Sequence, residues 1–362
     1  MKILAVVGAR PNFVKIAPLL VELVKHPYVS TTLVHTGQHY DAQMSDAFFA
    51  NLEMPRPDVN LKVQSSGAVT QIADIMTRLE PVLHDVRPDM VVVVGDVNST
   101  LAAALTAVKV GLPLAHVEAG LRSFDRSMPE EVNRILTDSV SDLLFTTEPA
   151  ANENLAREGV ARDKVHFVGN VMIDTLLRYR ERAGTSDVLA RLGLEPKGYA
   201  ALTLHRPSNV DDEGTLGILL GAIARIQDEM TVVFPVHPRT RQRLESLGAV
   251  LPPMPRLRLA DPLPYLDFLQ LMANAQCVLT DSGGIQEETT ALGIPCLTLR
   301  AGTERPITVS RGTNRIVGTD PKEIYASWRM VAEGRWPRGQ VPELWDGQAA
   351  PRIVRILLKR VG

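Results

Sequence analysis

The sequence predicts an α/β protein with two parallel-sheet domains. Short apolar runs typical of buried strands alternate with segments of helical period along both halves of the chain. The chain has 362 residues, which exceeds the usual size of a single hydrophobic core. Strand-like runs are missing over 184–198, which we interpret as a linker. We therefore predict a first domain at 1–183, a second at 184–350, and a closing helical segment at 351–362 that packs back on the first.

The elements of the first half follow from apolar patterning. The run ILAVV opens the chain as a strand, and Pro11 suits the first turn of the helix that follows it. An alanine-rich helix lies between two apolar runs without polar alternation, as in strands covered on both faces. The predicted strands are 3–7, 31–35, 91–94, 112–117, 143–146 and 165–168. The predicted helices are 13–25, 69–85, 99–110, 130–140 and 170–182.

The second half repeats the same alternation of apolar runs and helical periods. Its predicted strands are 199–204, 231–236, 257–259, 277–280 and 296–299. Its predicted helices are 214–228, 240–247, 264–274, 285–292 and 351–358. Alternation of this kind builds a parallel sheet with helices on both faces, so a second sheet is expected.

Composition and charge exclude several classes of protein. The net charge is −2 and the sequence has no run of Lys or Arg, so it does not indicate a basic surface for nucleic-acid binding. No apolar stretch is long enough to cross a bilayer, and a strand rather than a signal peptide follows Met1. Cys277 and Cys296 lie in apolar runs, which suits a reduced protein without disulfides. We expect a soluble cytoplasmic enzyme without membrane insertion.

Acidic residues follow two of the predicted buried strands. Asp96 comes after the run VVVV, and Glu118 comes after LPLAHV. Ligands of parallel α/β sheets bind outside the carboxyl ends of the strands, here in a cleft expected between the two domains. A charge at the end of a buried strand is costly unless it is paired or used. Together with Glu130 and Glu131, these carboxylates favour an enzyme that divides acid and base roles among them.

Two strand-to-helix turns have residues suited to an anion. Arg10 and Lys15 add charge near a predicted helix N-terminus, whose N–H groups and dipole favour an anion. A plain turn with two surface cations is the alternative, and the turn lacks the glycines of a dinucleotide site, so NAD is not expected. The later turn holds Ser282, Gly283 and Gly284, where a phosphate could approach the helix. Ser282 could equally act only as a helix cap.

Two histidines and one further carboxylate extend the candidate site. Glu288 follows the glycine turn by one helical turn, so it could bind a ribose diol or only complement the helix dipole. His205 and His237 each end a predicted strand beside an arginine, which favours a pyrophosphate site over two structural histidines. No spacing of His, Cys and Asp resembles a zinc site, so no metal is predicted.

Ten motifs, in order along nearly the whole chain, resemble those of the non-hydrolysing UDP-N-acetylglucosamine 2-epimerases. They are GARPNFVKIAPL, TGQHYD, GDVNSTLA, HVEAGLRS, MPEEVNR, GNVMIDTL, TLHRP, PVHPR, LTDSGGIQEE and TERP. The resemblance implies two Rossmann-like domains arranged as in GT-B glycosyltransferases, a homodimer and no redox cofactor. It also implies that UDP-GlcNAc and UDP-ManNAc are interconverted by loss of UDP to a 2-acetamidoglucal and its re-addition. The product would feed the biosynthesis of surface polysaccharides.

The same resemblance implies roles for individual residues. Asp96, Glu118 and Glu130 would be the catalytic carboxylates, with His205 assisting at the diphosphate. Glu130 is preferred to Glu131, although the first turn of a helix favours either carboxylate. The residues implied in UDP-sugar binding are Arg10, Lys15, His237, Leu263, Phe268, Ser282, Gly283, Gly284, Glu288 and Arg305.

Uracil would be bound by the segment DPLPYLDF. The backbone of Leu263 would contact the base, and Phe268 would lie near it, with a plain core aromatic as the alternative for Phe268. Tyr40 stands where many bacterial members have an arginine, in a region that helps bind a regulatory second UDP-GlcNAc.

Three alternatives to a UDP-GlcNAc epimerase stay open. The segments VNST and SFDRSM also resemble relatives that act on UDP-2,3-diacetamido-uronic acids. A GT-B glycosyltransferase could use the same phosphate turn, but the chain has no basic amphipathic segment for membrane docking. A hydrolysing epimerase would release free ManNAc and UDP through capture of the glucal by water.

Overall fold

The computed structural model describes residues 1–37, 54–65, 67–247 and 253–361. The chain forms two compact units, one of Met1–Arg178 with Glu343–Gly362 and the other of Tyr179–Pro342. Tyr40, at which the TGQHYD motif departs from many bacterial relatives, lies outside the described part of the chain, as do the neighbouring residues 38 and 39.

The first unit alternates strands and helices from its start. Its strands are β1 (Lys2–Val7), β2 (Ser30–His35), β3 (Val59–Asn60), β4 (Met90–Val94), β5 (Leu114–Ala119), β6 (Leu143–Thr146) and β7 (Val165–Phe167). Its helices are α1 (Arg10–Leu23), α2 (Ala68–Val86), α3 (Asn98–Lys109), α4 (Pro129–Val140), α5 (Pro149–Arg157) and α6 (Val171–Ala183), the last of which leads into the second unit. A short 3₁₀ turn spans Arg162–Lys164.

The seven strands of the first unit form one parallel sheet in the order β3-β2-β1-β4-β5-β6-β7. The order reverses between β1 and β4, which is where open α/β sheets bind ligands at the carboxyl ends of their strands. Val91 and Val93 of β4 pack with Leu79 and Leu83 of α2 in the core. Each such side chain stabilises the fold by roughly 1.5–3 kcal/mol on burial.

The second unit has the same plan. Its strands are β8 (Tyr199–Thr203), β9 (Thr231–Pro235), β10 (Leu257–Ala260), β11 (Cys277–Thr280), β12 (Cys296–Thr298) and β13 (Asn314–Ile316). Its helices are α7 (Val188–Arg191), α8 (Pro207–Val210), α9 (Glu213–Gln227), α10 (Pro238–Leu247), α11 (Tyr265–Asn274), α12 (Gly283–Leu292), α13 (Pro306–Ser310) and α14 (Pro321–Ala332).

The second sheet is also parallel, in the order β10-β9-β8-β11-β12-β13. Its order reverses between β8 and β11. Leu202, Phe234 and Leu279 from the strands pack with Ile223 of α9 and Trp328 of α14 in one apolar core. Two parallel sheets with alternating helices confirm the predicted α/β class.

Several elements differ from the sequence-based expectations. Helices α5 and α14 and strand β13 were not predicted, and the segment interpreted as a linker contains the short helix α7. The last helix, α15 (Ala349–Val361), is longer than the predicted 351–358 and contacts α1.

Candidate active site

Glu118 has an unusual backbone conformation at the carboxyl end of β5. Its φ angle is 73°, and the pairing of β5 with β6 shifts register between Val117 and Ala119. A left-handed conformation costs a non-glycine residue on the order of 1–3 kcal/mol and is concentrated at functional sites. The side chain is only 3% exposed, and its Oε2 lies 2.5 Å from Nζ of the buried Lys15. The fold therefore holds a paired carboxylate in a strained position at the ligand-binding edge of the sheet.

The carboxylate of Asp138 on α4 binds residues on both sides of Glu118. Its Oδ1 accepts from Nδ1 of His116 at 2.7 Å, and its Oδ2 accepts from the N–H of Gly120 at 3.0 Å and from Arg122 at 2.7 Å. Burial opposes ionisation, but His116 and Arg122 outweigh it and lower the pKa of Asp138. A buried carboxylate with these partners anchors the segment that carries Glu118.

Asp96 follows β4 and is paired with an arginine. Its Oδ2 lies 2.5 Å from Nη1 of Arg134 on α4, and its backbone carbonyl accepts from Nδ2 of Asn133 at 2.9 Å. The Asp96 side chain is 20% exposed, so one face stays open to a ligand. Gly95, which precedes Asp96, lies against Lys15 of the Lys15–Glu118 pair. A Cβ at Gly95 would lie 3.1 Å from Nζ of Lys15.

Glu130 and Glu131 differ sharply in their surroundings. Glu131 is 1% exposed and accepts hydrogen bonds from the N–H groups of Ser123 and Phe124 and from Arg134. Burial opposes ionisation, but these hydrogen bonds and the Arg134 charge lower the pKa of Glu131. Glu130 is half-buried, and its side chain makes no hydrogen bond or ion pair within the part of the chain that the structure describes. Glu131 is therefore held within the fold by these bonds, whereas the Glu130 carboxylate has no such partners among the described residues.

The turn before α1 is organised around Asn12. Its Oδ1 accepts from the N–H groups of Gly8 and Ala9 at 3.3 and 3.1 Å, and its Nδ2 donates to the Val94 carbonyl at 2.9 Å. These bonds occupy two N–H groups of the turn that was expected to receive an anion. Arg10 begins α1, and its side chain lies outside the described part of the structure.

His205 follows β8 and is joined to Asp281, which follows β11. The Nδ1 atom of His205 lies 2.6 Å from Oδ1 of Asp281. The carboxylate is fully buried, whereas the imidazole is 62% exposed. Burial opposes ionisation of Asp281, but the bonds from His205 and Arg206 outweigh it and lower the pKa of Asp281.

Ser282, Gly283 and Gly284 form the turn that opens α12. Ser282 occupies the N-cap position, as the alternative interpretation of this turn expected, but its side chain makes no cap hydrogen bond. The hydroxyl of this half-buried residue makes no other hydrogen bond among the described residues. The first N–H groups of a helix have no partner within the helix, so they and this hydroxyl can donate to an anion.

Arg305 belongs to a buried ionic network behind that turn. Its Nε lies 2.8 Å from Glu287 and its Nη1 lies 2.5 Å from Glu304, which also binds Arg300 at 2.7 Å. Burial opposes ionisation of Glu304, but the arginines hold its pKa well below the ordinary range. A Cβ at Gly283 would lie 2.3 Å from Nη1 of Arg305, so glycine is required for this approach.

Glu288 is buried further along α12. The Tyr265 hydroxyl donates to its Oε1 at 3.0 Å. Burial raises the pKa of Glu288 to about 7, with the Tyr265 bond acting against the rise and Glu287 adding to it. A carboxyl group with this pKa changes its hydrogen-bonding capacity near neutral pH.

The remaining predicted binding residues also lie in the second unit. His237 is exposed after β9, whereas Leu263 and Phe268 are half-buried before and within α11. Three contact partners of the predicted site residues were not anticipated from the sequence. Arg134 binds Asp96 in the first unit, and in the second unit Asp281 binds His205 and Tyr265 binds Glu288. Their motifs (DSGG, EEVNR and DPLPYLDF) were recognised, but their contact partners are distant in sequence.

Residues 1–37, 54–65, 67–247 and 253–361 contain no helix that is both long and apolar enough to cross a membrane. They also contain no group of three or more His, Cys, Asp and Glu side chains placed to hold a metal ion.

The fold and the carboxylates at its strand ends define an α/β enzyme with two Rossmann-like domains. The chain belongs to the UDP-N-acetylglucosamine 2-epimerase family, whose model matches residues 21–358. This membership confirms the family that the motifs predicted, the fold class and the prediction of an isomerase.

Individual relatives cover the chain from end to end. The UDP-N-acetylglucosamine 2-epimerase of Methanocaldococcus jannaschii is 38% identical over 364 residues, covering 99% of each chain. The crystal structure of that enzyme in complex with UDP-GlcNAc and UDP has a TM-score of 0.91 and covers 99% of this chain and 100% of its own. The UDP-2,3-diacetamido-2,3-dideoxy-D-glucuronate 2-epimerase of Pseudomonas aeruginosa is 41% identical over 362 residues, covering 99% of this chain and all of its own.

Proposed function

We propose that this protein inverts C2 of a UDP-linked 2-acetamido sugar, interconverting UDP-GlcNAc and UDP-ManNAc. The observation that carries the proposal is the arrangement of the first-unit carboxylates. Asp96 and Glu118 are held by cations, and Glu130 is half-buried without a partner among the described residues. The M. jannaschii enzyme whose structure contains UDP-GlcNAc and UDP supports the choice of substrate.

The chemistry explains why several carboxylates are needed. No carbonyl group adjoins C2, so its proton is not acidic and a base alone would fail. The C1–O bond breaks first, its electron pair leaves with UDP, and positive charge develops on C1. A carboxylate then takes the C2 proton and a 2-acetamidoglucal forms. Return of a proton to the opposite face of C2 and of UDP to C1 gives the epimer, with no net change of oxidation state and no need for a redox cofactor.

The first unit supplies the groups for proton transfer and charge stabilisation in this proposal. Glu118 and Asp96, kept in place by Lys15 and Arg134, stabilise the positive charge that develops on the sugar. Glu130, the carboxylate not paired with a cation among the described residues, exchanges a proton with one face of C2, and Asp96 or Glu118 exchanges a proton with the opposite face. Arg10 would add charge for the departing diphosphate.

The second unit binds UDP in this proposal. The N–H groups that open α12, together with Ser282, Gly283 and Gly284, receive the diphosphate. Glu288, in the same helix, accepts from the ribose diol, and His205 donates to the diphosphate. His237, Leu263, Phe268 and Arg305 stay predictions as contacts of UDP, as does the homodimer.

Chromatography of nucleotide sugars tests the proposed substrate. Purified protein incubated with UDP-GlcNAc should convert part of it to UDP-ManNAc, and the reverse reaction should reach the same final ratio. Free ManNAc with UDP would identify a hydrolysing enzyme. Consumption that requires an added sugar acceptor would identify a glycosyltransferase.

A second candidate substrate is UDP-2,3-diacetamido-2,3-dideoxy-D-glucuronate. It is favoured by the P. aeruginosa relative, which is 41% identical over the full length, and by the segments VNST and SFDRSM. Measuring kcat/KM for both nucleotide sugars decides between them. If kcat/KM is tenfold or more higher for the diacetamido-glucuronate nucleotide, that nucleotide sugar and not UDP-GlcNAc is the substrate.

A further inference from the structure

Asp281 and His205 meet at the centre of the second sheet. β8 and β11 are neighbouring strands, and Thr203 of β8 is in register with Thr280 of β11. Their carboxyl ends therefore lie side by side at the point where the strand order reverses. This is the position at which parallel α/β sheets bind their ligands.

Asp281 accepts several hydrogen bonds from the segment 205–209. Its carboxylate accepts from Nδ1 of His205 at 2.6 Å, from the N–H of His205 at 3.1 Å, from the N–H of Arg206 at 3.0 Å and from Nδ2 of Asn209 at 3.1 Å. Asp281 is fully buried, so water does not compete for these bonds. The carboxylate therefore fixes both the backbone and the side chain of His205.

The contact between His205 and Asp281 determines which nitrogen of the imidazole can bind a ligand. A carboxylate only accepts hydrogen bonds, so Nδ1 of His205 must carry a proton. Nε2 lies on the far side of the ring, and the imidazole is 62% exposed. Whether the ring carries one proton or two, Nδ1–H stays on Asp281 and Nε2 is the nitrogen presented outward.

We infer that Asp281 is a positioning residue that holds His205 in the Nδ1–H form and directs Nε2 toward the diphosphate of the bound UDP-sugar. The inference rests on the proposed function for the identity of that ligand. Asp281 does not contact the reacting atoms and acts only through His205. Once protonated, Nε2 donates to the diphosphate oxygen on which the electron pair of the broken C1–O bond accumulates.

Nuclear magnetic resonance tests the tautomer without substrate. Protein labelled with ¹⁵N-histidine has eight histidines, and the spectrum of His205→Asn assigns the His205 signals by their loss. At a pH where the ring is neutral, wild-type His205 should show a protonated Nδ1 and an unprotonated Nε2. Asp281→Asn should shift the population toward Nε2–H. An Nε2–H tautomer in the wild-type protein would overturn the inference even if Asp281→Asn fails to fold.

A double-mutant cycle tests whether Asp281 acts through His205. We expect Asp281→Asn to lower kcat about 10²-fold, the lower end of what a positioned proton donor contributes, with KM changed less than threefold. Asp281→Asn in the His205→Asn background should cause no further loss, because coupled residues are not additive. Independent, multiplying losses would contradict the inference.

Asp174→Asn is the matched control for a buried aspartate. Asp174 accepts from the N–H groups of Ala349 and Ala350, and no described histidine binds it. The Asp174→Asn substitution should leave kcat and the NMR signals of His205 unchanged. If no UDP-sugar is turned over, the tautomer result still decides the role of Asp281, so failure of the proposed function is recognised separately.

Discussion

Glu130 and Glu131 are adjacent on α4, and we predict that only Glu130 takes part in the reaction. Glu130→Gln should lower kcat by about 10²–10⁴-fold, the range for a general acid or base, with little change in stability. Glu131→Gln should instead destabilise the protein by about 3 kcal/mol, because it weakens a buried ion pair. Turnover assays and thermal unfolding of both variants measure the contrast. If Glu131→Gln folds normally and loses activity while Glu130→Gln stays active, the assignment is reversed.

We predict that Glu288 makes the affinity for UDP depend on pH. Its pKa is raised to about 7 chiefly by burial. A ribose diol donates hydrogen bonds, so UDP should bind more tightly as the pH rises through 7 and the carboxyl group loses its proton. Calorimetric titration of UDP from pH 5.5 to 8.5 measures this rise. Glu288→Gln is the isosteric control. It removes the titrating carboxyl group, so any remaining pH dependence comes from the phosphate of UDP. The same pH dependence in both proteins would exclude Glu288 as the cause.

The same carboxyl group links stability to pH with a defined sign. Its pKa lies above the ordinary value of 4.5 in the folded protein, so burial disfavours the charged form. Between pH 4.5 and 7 the unfolded chain loses this proton and the folded chain keeps it, so stability falls as pH rises. Glu288→Gln should therefore gain stability over the wild type across this window, reaching about 3 kcal/mol above pH 7. Denaturant unfolding at pH 5 and pH 8 measures the gain, and equal differences at both values would contradict it.

At the scale of single elements, the N-terminus of α12 depends on Gly283. A Cβ there would lie 2.3 Å from Arg305 and 2.8 Å from Glu304, both in a buried ionic network. Gly283→Ala should cost about 1–3 kcal/mol from overpacking and weaken UDP binding. Gly221→Ala in α9 is the control, because no described atom lies within 4 Å of its Cβ position. That change should stabilise by about 0.5–1 kcal/mol. Equal stability of the two variants in urea unfolding would contradict this account of the turn.

Elements with strong apolar patterning were predicted well, and polar ones were not. Strand β4 is apolar throughout and β11 is apolar up to its last residue, Thr280, so their runs identify them. Helix α5 buries only Ala151 and Leu155, which leaves too little apolar period to recognise. Helix α14 has a signal that could have been used, because Asp320 caps it and Pro321 occupies its first turn.

At the scale of the whole molecule, the positions of the functional groups could be predicted but their contacts could not. Parallel topology requires residues after neighbouring strands to meet, which places Asp96 and Glu118 at one edge of the sheet. The left-handed Glu118 and its Lys15 partner depend on tertiary packing that no local pattern encodes. His205 and Asp281 are 76 residues apart in sequence, so their bond follows only from the strand order of the second sheet.

The central claim is that C2 is inverted through removal and return of its proton. Proton NMR of the protein with UDP-GlcNAc in D₂O measures this directly. We expect UDP-ManNAc to form with deuterium at C2, and deuterium to accumulate at C2 of UDP-GlcNAc as the reaction reverses. UDP-ManNAc that keeps its original C2 proton would contradict the mechanism. An unchanged spectrum with both UDP-GlcNAc and the diacetamido-glucuronate nucleotide would contradict the proposed function itself.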